Sequence, residues 1–502
     1  MGWKVVIKNS KGDETNKMRK FESDVHLIKY EVLREVARLA MEGTLKEKID
    51  TIPYIVDPGP EPRTRCCIYK EREITKDRVK LAMGGNRENK NIIEVIDVAC
   101  DECPINRFFI TEACRGCLAH RCSEACLRGA IYHVGGRAYI NQEKCIECGR
   151  CKEACPYNAI ADVMRPCRRA CSAGAISFDD RRKAVIDDEK CIQCGACITQ
   201  CPFGAIMDKS YITDVISILK ESKENKDIHV YAAIAPAIAN QFTYASIEQV
   251  ICGVKKLGFY DVVEVALGAD MVALHEAKEV ADTIGEKKLV TTSCCPAFVS
   301  YVKKNYSKLG DKISNTVSPM IAISRLIKAR DPKAKVVFIG PCVAKKAEAL
   351  EEELKDDIDY VLTFEELAAM LDALEVDLEN CNIGELNNAS YYGRIFARSG
   401  GVTEAVEHVI EAEKIDIDLK PVKCNGIKEC DRALKMANVN RLNGNFIEGM
   451  ACEGGCIAGP ASLNHGPKDK KEVDKYGELA FEEDIEGSLK KIELKDINLD
   501  RK

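Results

Sequence analysis

The sequence predicts an α/β region of parallel strands covered by helices, preceded by small cysteine-rich α+β units. Three observations predict it. Through residues 208–502, apolar β-rich runs alternate with helical patterns, and such alternation marks parallel sheets flanked by helices. Residues 122–206 repeat one short pattern, Cys-x3-Cys-x3-Ala-Ile, starting at Cys122, Cys151, Cys167 and Cys197. Two of these copies close longer runs, Cys145/Cys148/Cys151/Cys155-Pro156 and Cys191/Cys194/Cys197/Cys201-Pro202, whose spacing suits clusters of iron and sulfide.

Bulk properties frame the reading. A chain of 502 residues holds about two to four domains. Its 46% hydrophobic and 31% charged content suits a globular chain with a buried core. The net charge of −6 is too small to suggest nucleic acid. No apolar run approaches a membrane span, and Met1-Gly-Trp-Lys-Val-Val-Ile-Lys8 lacks the apolar stretch of an export signal. A cytoplasmic location is therefore expected. The 27 cysteines would suggest disulfides in a short secreted chain; in a long one with Cys-x-x-Cys groups they read as metal ligands.

Three segments follow. Residues 1–95 are polar and mixed, with no assignable role. A helix is expected at 26–42, because apolar residues at 27, 28, 32, 33, 36, 37, 39 and 40 share one face. Residues 53–62, rich in Pro and Gly, read as a linker or turn, and Cys66 and Cys67 follow. Residues 96–207 hold the cysteine repeats as tandem ferredoxin-like units. Residues 208–502 form the α/β region, with strands expected at 229–235, 262–267, 289–292 and 336–340, and helices at 246–258, 269–284 and 318–330. From residue 467 onward the chain is strongly charged and reads as a solvated surface tail.

The cysteines can be shared out by spacing. In two-cluster ferredoxins, C-x2-C-x2-C-x3-C-P gives three ligands to one cluster and the fourth to its neighbour. Cys114-x2-Cys117-x4-Cys122-x3-Cys126 is a looser version, with Leu127 in place of Pro. Pairing it with the run at 145 assigns Cys114, Cys117, Cys122 and Cys155 to one cluster. Cys145, Cys148, Cys151 and Cys126 go to the next. Cys171 completes Cys191, Cys194 and Cys197. Cys167 and Cys201 then need two partners. Cys100 and Cys103 are the nearest unassigned pair, and Cys66 and Cys67 the alternative. Either way, four [4Fe–4S] clusters are expected.

Three later motifs are more specific. Thr292-Ser-Cys-Cys-Pro296, Gly340-Pro-Cys-Val-Ala-Lys-Lys-x-Glu348 and Glu448-x-Met-Ala-Cys-x-Gly-Gly-Cys456 resemble, in kind and order, the active-site motifs of [FeFe]-hydrogenases. The resemblance covers roughly residues 110–465, and Ala297-Phe298 and Gly340 bring it nearest the group-B monomeric clostridial-type branch. It implies two lobes of parallel sheet flanked by helices. It implies that Cys295, Cys342, Cys452 and Cys456 hold one more [4Fe–4S] cubane. Cys456 would also bridge that cubane to a two-iron subsite with CO, cyanide and a dithiolate bridge, completing a six-iron H-cluster.

The resemblance also implies roles for other residues. Cys294 is a free thiol that carries protons. Lys345 donates to a cyanide ligand, with Lys346 the neighbouring alternative that otherwise reads as a surface lysine, and Met450 packs its thioether on the subsite. Residues 274–279 read as helix, so Glu276 and Glu279 share a face. With Ser314 they match the family's proton route, running Cys294, a water, Glu276, Ser314, Glu279 and solvent. The implied activity is 2H⁺ + 2e⁻ ⇌ H₂, an oxidoreductase of anaerobic hydrogen metabolism. Protons move through the thiol and the bridging amine of the dithiolate. A ferredoxin or flavodoxin-like carrier supplies electrons, and maturation enzymes build the subsite. An H₂ or redox sensor, an iron–sulfur assembly factor or an electron-transfer protein is the alternative on the same fold. Gly340 in place of Met, Ala237 in place of Ser, and Ile457-Ala-Gly-Pro-Ala461 after Cys456 depart from the better-known branch. Cys252, Cys381, Cys424 and Cys430 match no ligand position and read as structural.

Overall fold

The computed structural model describes residues 3–8, 14–381, 386–466, 468–490, 492–494 and 497–501. The α/β region has the expected class. Strands Asp261–Glu264, His229–Ile234, Ala334–Gly340 and Tyr360–Thr363 form one parallel sheet in that order. Val290–Thr291, Phe446–Met450 and Pro421–Asn425 form a second, also parallel. Val230, Ala232, Val336, Val337 and Ile339 are fully buried, as a sheet covered on both faces requires. Among the described residues, no helix is long and apolar enough to cross a membrane.

Several boundaries move. The run at 262–267 is not one strand: the strand ends at Glu264 and helix Val265–Lys287 starts at Val265. Its residues are apolar and buried on either side of the junction, so periodicity cannot mark it. The helices expected at 246–258 and 318–330 are Ile247–Lys256, with a Ser246/Gln249 capping box, and Pro319–Arg330. Residues 53–62 are only partly a turn, because Pro53 lies in the first turn of helix Ile52–Val56, where its missing N–H leaves no helical bond unmade.

The helix expected at 26–42 is Asp24–Glu42. Ser23 caps its start by accepting from the His26 amide, and Gly43 ends it at φ 78°. It packs on helix Phe364–Ala373 of the α/β region, so Val32, Leu33 and Val36 belong to the large core. The charged end is not a solvated tail. Helix Asp469–Glu478 buries Val473 and Tyr476, and Ile485, Leu489 and Leu499 are buried after it. Arg394 grips Glu264 with both arms, at 2.9 and 2.8 Å, and donates to the Tyr476 carbonyl at 3.1 Å. These apolar residues are spread thinly among charges, which composition alone conceals.

Residues 93–208 contain two copies of one unit, one inserted into the other. The inner copy pairs Phe108–Ile110 with Ile160–Asp162 and Ile131–Val134 with Arg137–Ile140. The outer copy pairs Ile93–Val95 with Ile206–Asp208 and Ile176–Phe178 with Ala184–Ile186. The repeated Ala-Ile now has a physical reason. Each Ile opens a strand. Each Ala amide turns back onto sulfur: Ala130, Ala159, Ala175 and Ala205 donate to Cys126, Cys155, Cys171 and Cys201 at 3.3, 3.4, 3.3 and 3.3 Å. Ala138 donates to Cys114 at 3.5 Å, and Ala184 donates to Cys100 at 3.3 Å. Cys100 therefore stands in the outer copy where Cys114 stands in the inner one.

A buried charge network joins three segments. Lys29 donates to Asp208 at 2.8 Å and Glu365 at 2.5 Å. Lys346 donates to Asp208 at 2.8 Å, Glu366 at 2.9 Å and the Lys209 carbonyl at 2.7 Å. Lys346, expected at the surface, is 0% exposed. Burial alone would raise the Asp208 carboxyl, but Lys29 and Lys346 hold it below the ordinary range. Asp208→Ala leaves two buried ammoniums short of a partner. It is expected to cost about 3–5 kcal/mol, read as a lower thermal midpoint of the purified chain.

Candidate metal centre

The motif cysteines sit just past the C-terminal ends of parallel strands. Cys294 and Cys295 follow Val290–Thr291, Cys342 follows Ala334–Gly340, and Cys452 and Cys456 follow Phe446–Met450. Strand ends are where open α/β sheets place their sites. Cys295 is the cap residue before helix Pro296–Asn305. Cys294, Cys295, Cys342 and Cys456 line one cavity of about 80 Å³ with Ala237, Phe338, Lys345 and Met450. Cys452 is close by: removal from water raises its thiol far above the ordinary range, and Cys342, Cys295 and Cys456 raise it further. The same causes push Cys342 and Cys456 to about 12. Four thiols that oppose one another's ionisation, with Lys345 the nearby positive charge working against that, form a donor set that an iron–sulfur cubane would suit.

The surrounding shell is specific. Lys345 donates to Glu348 at 2.6 Å and to the Cys294 carbonyl at 3.2 Å. Glu348 is itself fixed by Ser318 at 3.1 Å and Arg501 at 2.6 Å. Two of the three ammonium protons are thus committed, and one is left for the cavity. A Cβ at Gly340 would lie 2.6 Å from the Phe338 ring, so that ring fills the space a side chain at 340 would take. Glu448, in the third motif, accepts from the Gly400 and Thr403 amides at 2.7 and 2.9 Å. It thereby ties strand Phe446–Met450 to the start of helix Gly401–Ala412. That job had no signal beyond the motif itself.

Gly455 has φ 100°, and a Cβ there would lie 2.5 Å from the Ser399 nitrogen. Gly455→Ala displaces Cys456. Lower iron per chain, with the other motif cysteines intact, is the expected result of iron analysis.

The residues expected from the resemblance to carry protons, Cys294, Glu276, Ser314 and Glu279, lie near one another. Cys294 is buried, and its thiol is raised far above the ordinary range by burial, then by Glu276, Cys295 and Cys456. Glu276 is 1% exposed; no partner meets its carboxyl oxygens in full hydrogen-bond geometry, though Ser314 and the Ser293 backbone lie near enough to work against its raised pKa. Burial, then the Glu279 charge, pushes it up to about 8. Ser314 Oγ donates to Glu279 Oε2 at 2.6 Å. Burial works against Glu279, but Ser314, the Asn315 amide, Thr316 and Lys287 outweigh it and lower its pKa. Two acids on one helix face are therefore driven apart, one protonated and one ionised at neutral pH.

The other cysteines gather in groups. Burial raises Cys122, and Cys155 and Cys117 raise it further. Cys151 responds likewise to burial, Cys145 and Cys126, while Cys148 lies exposed on the same loop. Burial and then Cys194, Cys191 and Cys171 raise Cys197. Burial and then Cys201, Cys103 and Cys100 bring Cys167 to about 11. Cys66 and Cys67 lie together instead, 4.0 Å apart in sulfur. The Cys191 loop abuts the cavity motifs: a Cβ at Gly195 would meet Pro460 at 2.6 Å and Val343 at 3.4 Å. Cys381, Cys424 and Cys430 are buried, and Cys252 is partly so.

Comparisons with known proteins bear on this arrangement. Residues 228–460 match the family described as the C-terminal domain of the iron-only hydrogenase large subunit. Residues 138–161 and 184–207 match a 4Fe–4S binding domain, the same half of each nested copy. Iron hydrogenase 1 of Clostridium pasteurianum is 30% identical over 387 residues, 67% of this chain and 66% of that protein. The periplasmic [Fe] hydrogenase large subunit of Nitratidesulfovibrio vulgaris is 30% identical over 370 residues, 64% of this chain and 85% of that protein. A cytosolic Fe–S cluster assembly factor of Eremothecium gossypii is 24% identical over 296 residues, 46% of this chain and 65% of that protein.

Proposed function

We propose that this chain, which belongs to the iron-only hydrogenase family, is itself a hydrogenase that interconverts 2H⁺ + 2e⁻ and H₂. One observation carries the reading. A cavity lined by three of the motif thiols also receives a spare thiol, an ammonium and, behind them, a buried carboxyl. Cys295, Cys342, Cys452 and Cys456 would hold the cubane, and Cys456 would join it to the two-iron subsite with CO, cyanide and a dithiolate bridge. When bound, that subsite supplies the redox chemistry that joins protons to electrons.

The chain's own residues handle the protons. Cys294 stays protonated at neutral pH and delivers its proton from the cavity wall. Glu276, held protonated, restores it, a water bridging the gap. Ser314 passes the next proton on from Glu279, its bonded neighbour. The remaining N–H of Lys345 would bond an anionic ligand such as cyanide. Met450 lines the cavity with a polarisable thioether.

Four accessory [4Fe–4S] clusters would carry electrons from a ferredoxin or flavodoxin-like partner. The group at Cys191, Cys194, Cys197 and Cys171 would be the last before the cavity, since Cys194 and Cys295 influence each other. Maturation enzymes would build the subsite. The likeness to an assembly factor supports a second reading, an iron–sulfur assembly, electron-transfer or sensor protein. The test is H₂ evolution from a reduced viologen dye by chain matured in a competent host. Sustained turnover is expected, and none, beside an active control hydrogenase, would favour the second reading.

A further inference from the structure

The C-terminal residues run along the outer end of the proton residues. Val317 N donates to the Leu499 carbonyl at 2.8 Å, and Arg501 N donates to the Asn315 carbonyl at 2.6 Å. Under this stretch, Thr316 Oγ1 donates to Glu279 Oε2 at 3.1 Å. The same Oγ1 lies 3.0 Å from His275 Nδ1. His275 Nε2 in turn lies 3.6 Å from Asp500 Oδ1, with side chains 32% and 51% exposed. Thr316 is 0% exposed, so the line Glu279, Thr316, His275, Asp500 climbs from the interior to water.

We propose, on the footing of the hydrogenase reading, that the proton route meets solvent through Thr316, His275 and Asp500. A hydroxyl and an imidazole each donate and accept, so a proton can cross them with their charge unchanged, the ring and hydroxyl then turning back to reset. One proton binds at His275 Nε2 as another leaves Nδ1 for Thr316 Oγ1, and the hydroxyl's own proton passes to Glu279 Oε2. Asp500 offers the outermost acceptor. Lys287 also approaches Glu279, at 3.5 Å, but a charged ammonium only donates and cannot hand a proton through itself. His275 and Thr316 are relay residues and Asp500 the mouth. The C-terminal segment thus acquires a role in proton supply beyond covering the core.

The experiment is proton–deuteron exchange at Glu276 in the purified full-length chain. Its buried carboxylic C=O band is followed in the infrared after dilution into D₂O, with Glu276→Gln identifying the band. Thr316→Val and His275→Phe should each slow exchange by at least about tenfold. Added imidazole should restore His275→Phe, and Thr316→Ser, which keeps the hydroxyl, should exchange as the parent does. Unchanged exchange in both slowed candidates overturns the proposal, and so does equal slowing in Thr316→Ser, which would mean packing alone. H₂ turnover is read on the same samples. Slowed exchange in the variants of a parent that, once matured, itself makes no H₂ upholds the proton line and refutes the hydrogenase reading. Unchanged exchange with full turnover does the reverse.

Discussion

Cys294→Ala should keep its iron and lose H₂ turnover by about 10²–10⁴-fold, the scale of removing a positioned proton-transfer group. The reason is geometric. Cys294 and Cys295 are adjacent, yet only Cys295 caps helix Pro296–Asn305. The Cys294 thiol feels Glu276 and Cys456 instead. Removing it leaves the four proposed ligands in place and breaks the link between cavity and carboxyl. Iron analysis and dye-linked H₂ evolution on one preparation check the prediction. Iron lost in parallel with activity would make Cys294 a ligand rather than a proton carrier.

Glu276→Gln should act on both turnover and stability. Turnover falls on the same scale, because an amide cannot release the proton a carboxyl can. The stability effect depends on pH, and its sign follows from linkage. Glu276 moves from an ordinary 4.5 to about 8 in the folded chain. Between those values the folded state keeps a proton that the unfolded state has lost, so stability falls as pH rises through that window. The Gln variant has no such proton to lose. It should match the parent at pH 4 and exceed it at pH 9 by a few kcal/mol, since each pH unit across the window is worth about 1.4 kcal/mol. Glu279 and Glu448 face the same group, and their charges add to the penalty in the parent, while the Cys294 thiol beside it stays neutral. Thermal midpoints across this range check it, and parallel pH curves would refute a buried neutral Glu276.

Much of the site was legible because ligand chemistry writes itself locally. Cys-x2-Cys-x2-Cys-x3-Cys-Pro fixes a loop and a helix start, and Gly454-Gly455 before Cys456 fixes a left-handed approach. Helix geometry put Glu276 and Glu279 on one face, while Ser314 was picked out by the family resemblance. What the sequence concealed was long-range. Cys100 and Cys103 are separated from Cys167 by an entire inserted unit, and the nested strand pairs with the matching N–H···S bonds at Cys114 and Cys100 show which cysteines correspond. Lys346 reads as a surface lysine until Asp208 and Glu366 arrive from distant segments. The charged end conceals Val473, Tyr476 and Leu499. The junction at Val265 fails for another reason: residues buried on all sides carry no period.

The most direct test of the central claim is the infrared spectrum of the matured chain between the amide and thiol regions. Sharp CO and cyanide bands, absent from a Cys456→Ser preparation, are the expected result. They would mean that the cavity holds a two-iron subsite through that cysteine. A spectrum with no such bands, from a host that matures a control hydrogenase, would contradict the account and leave the chain an iron–sulfur protein of another kind.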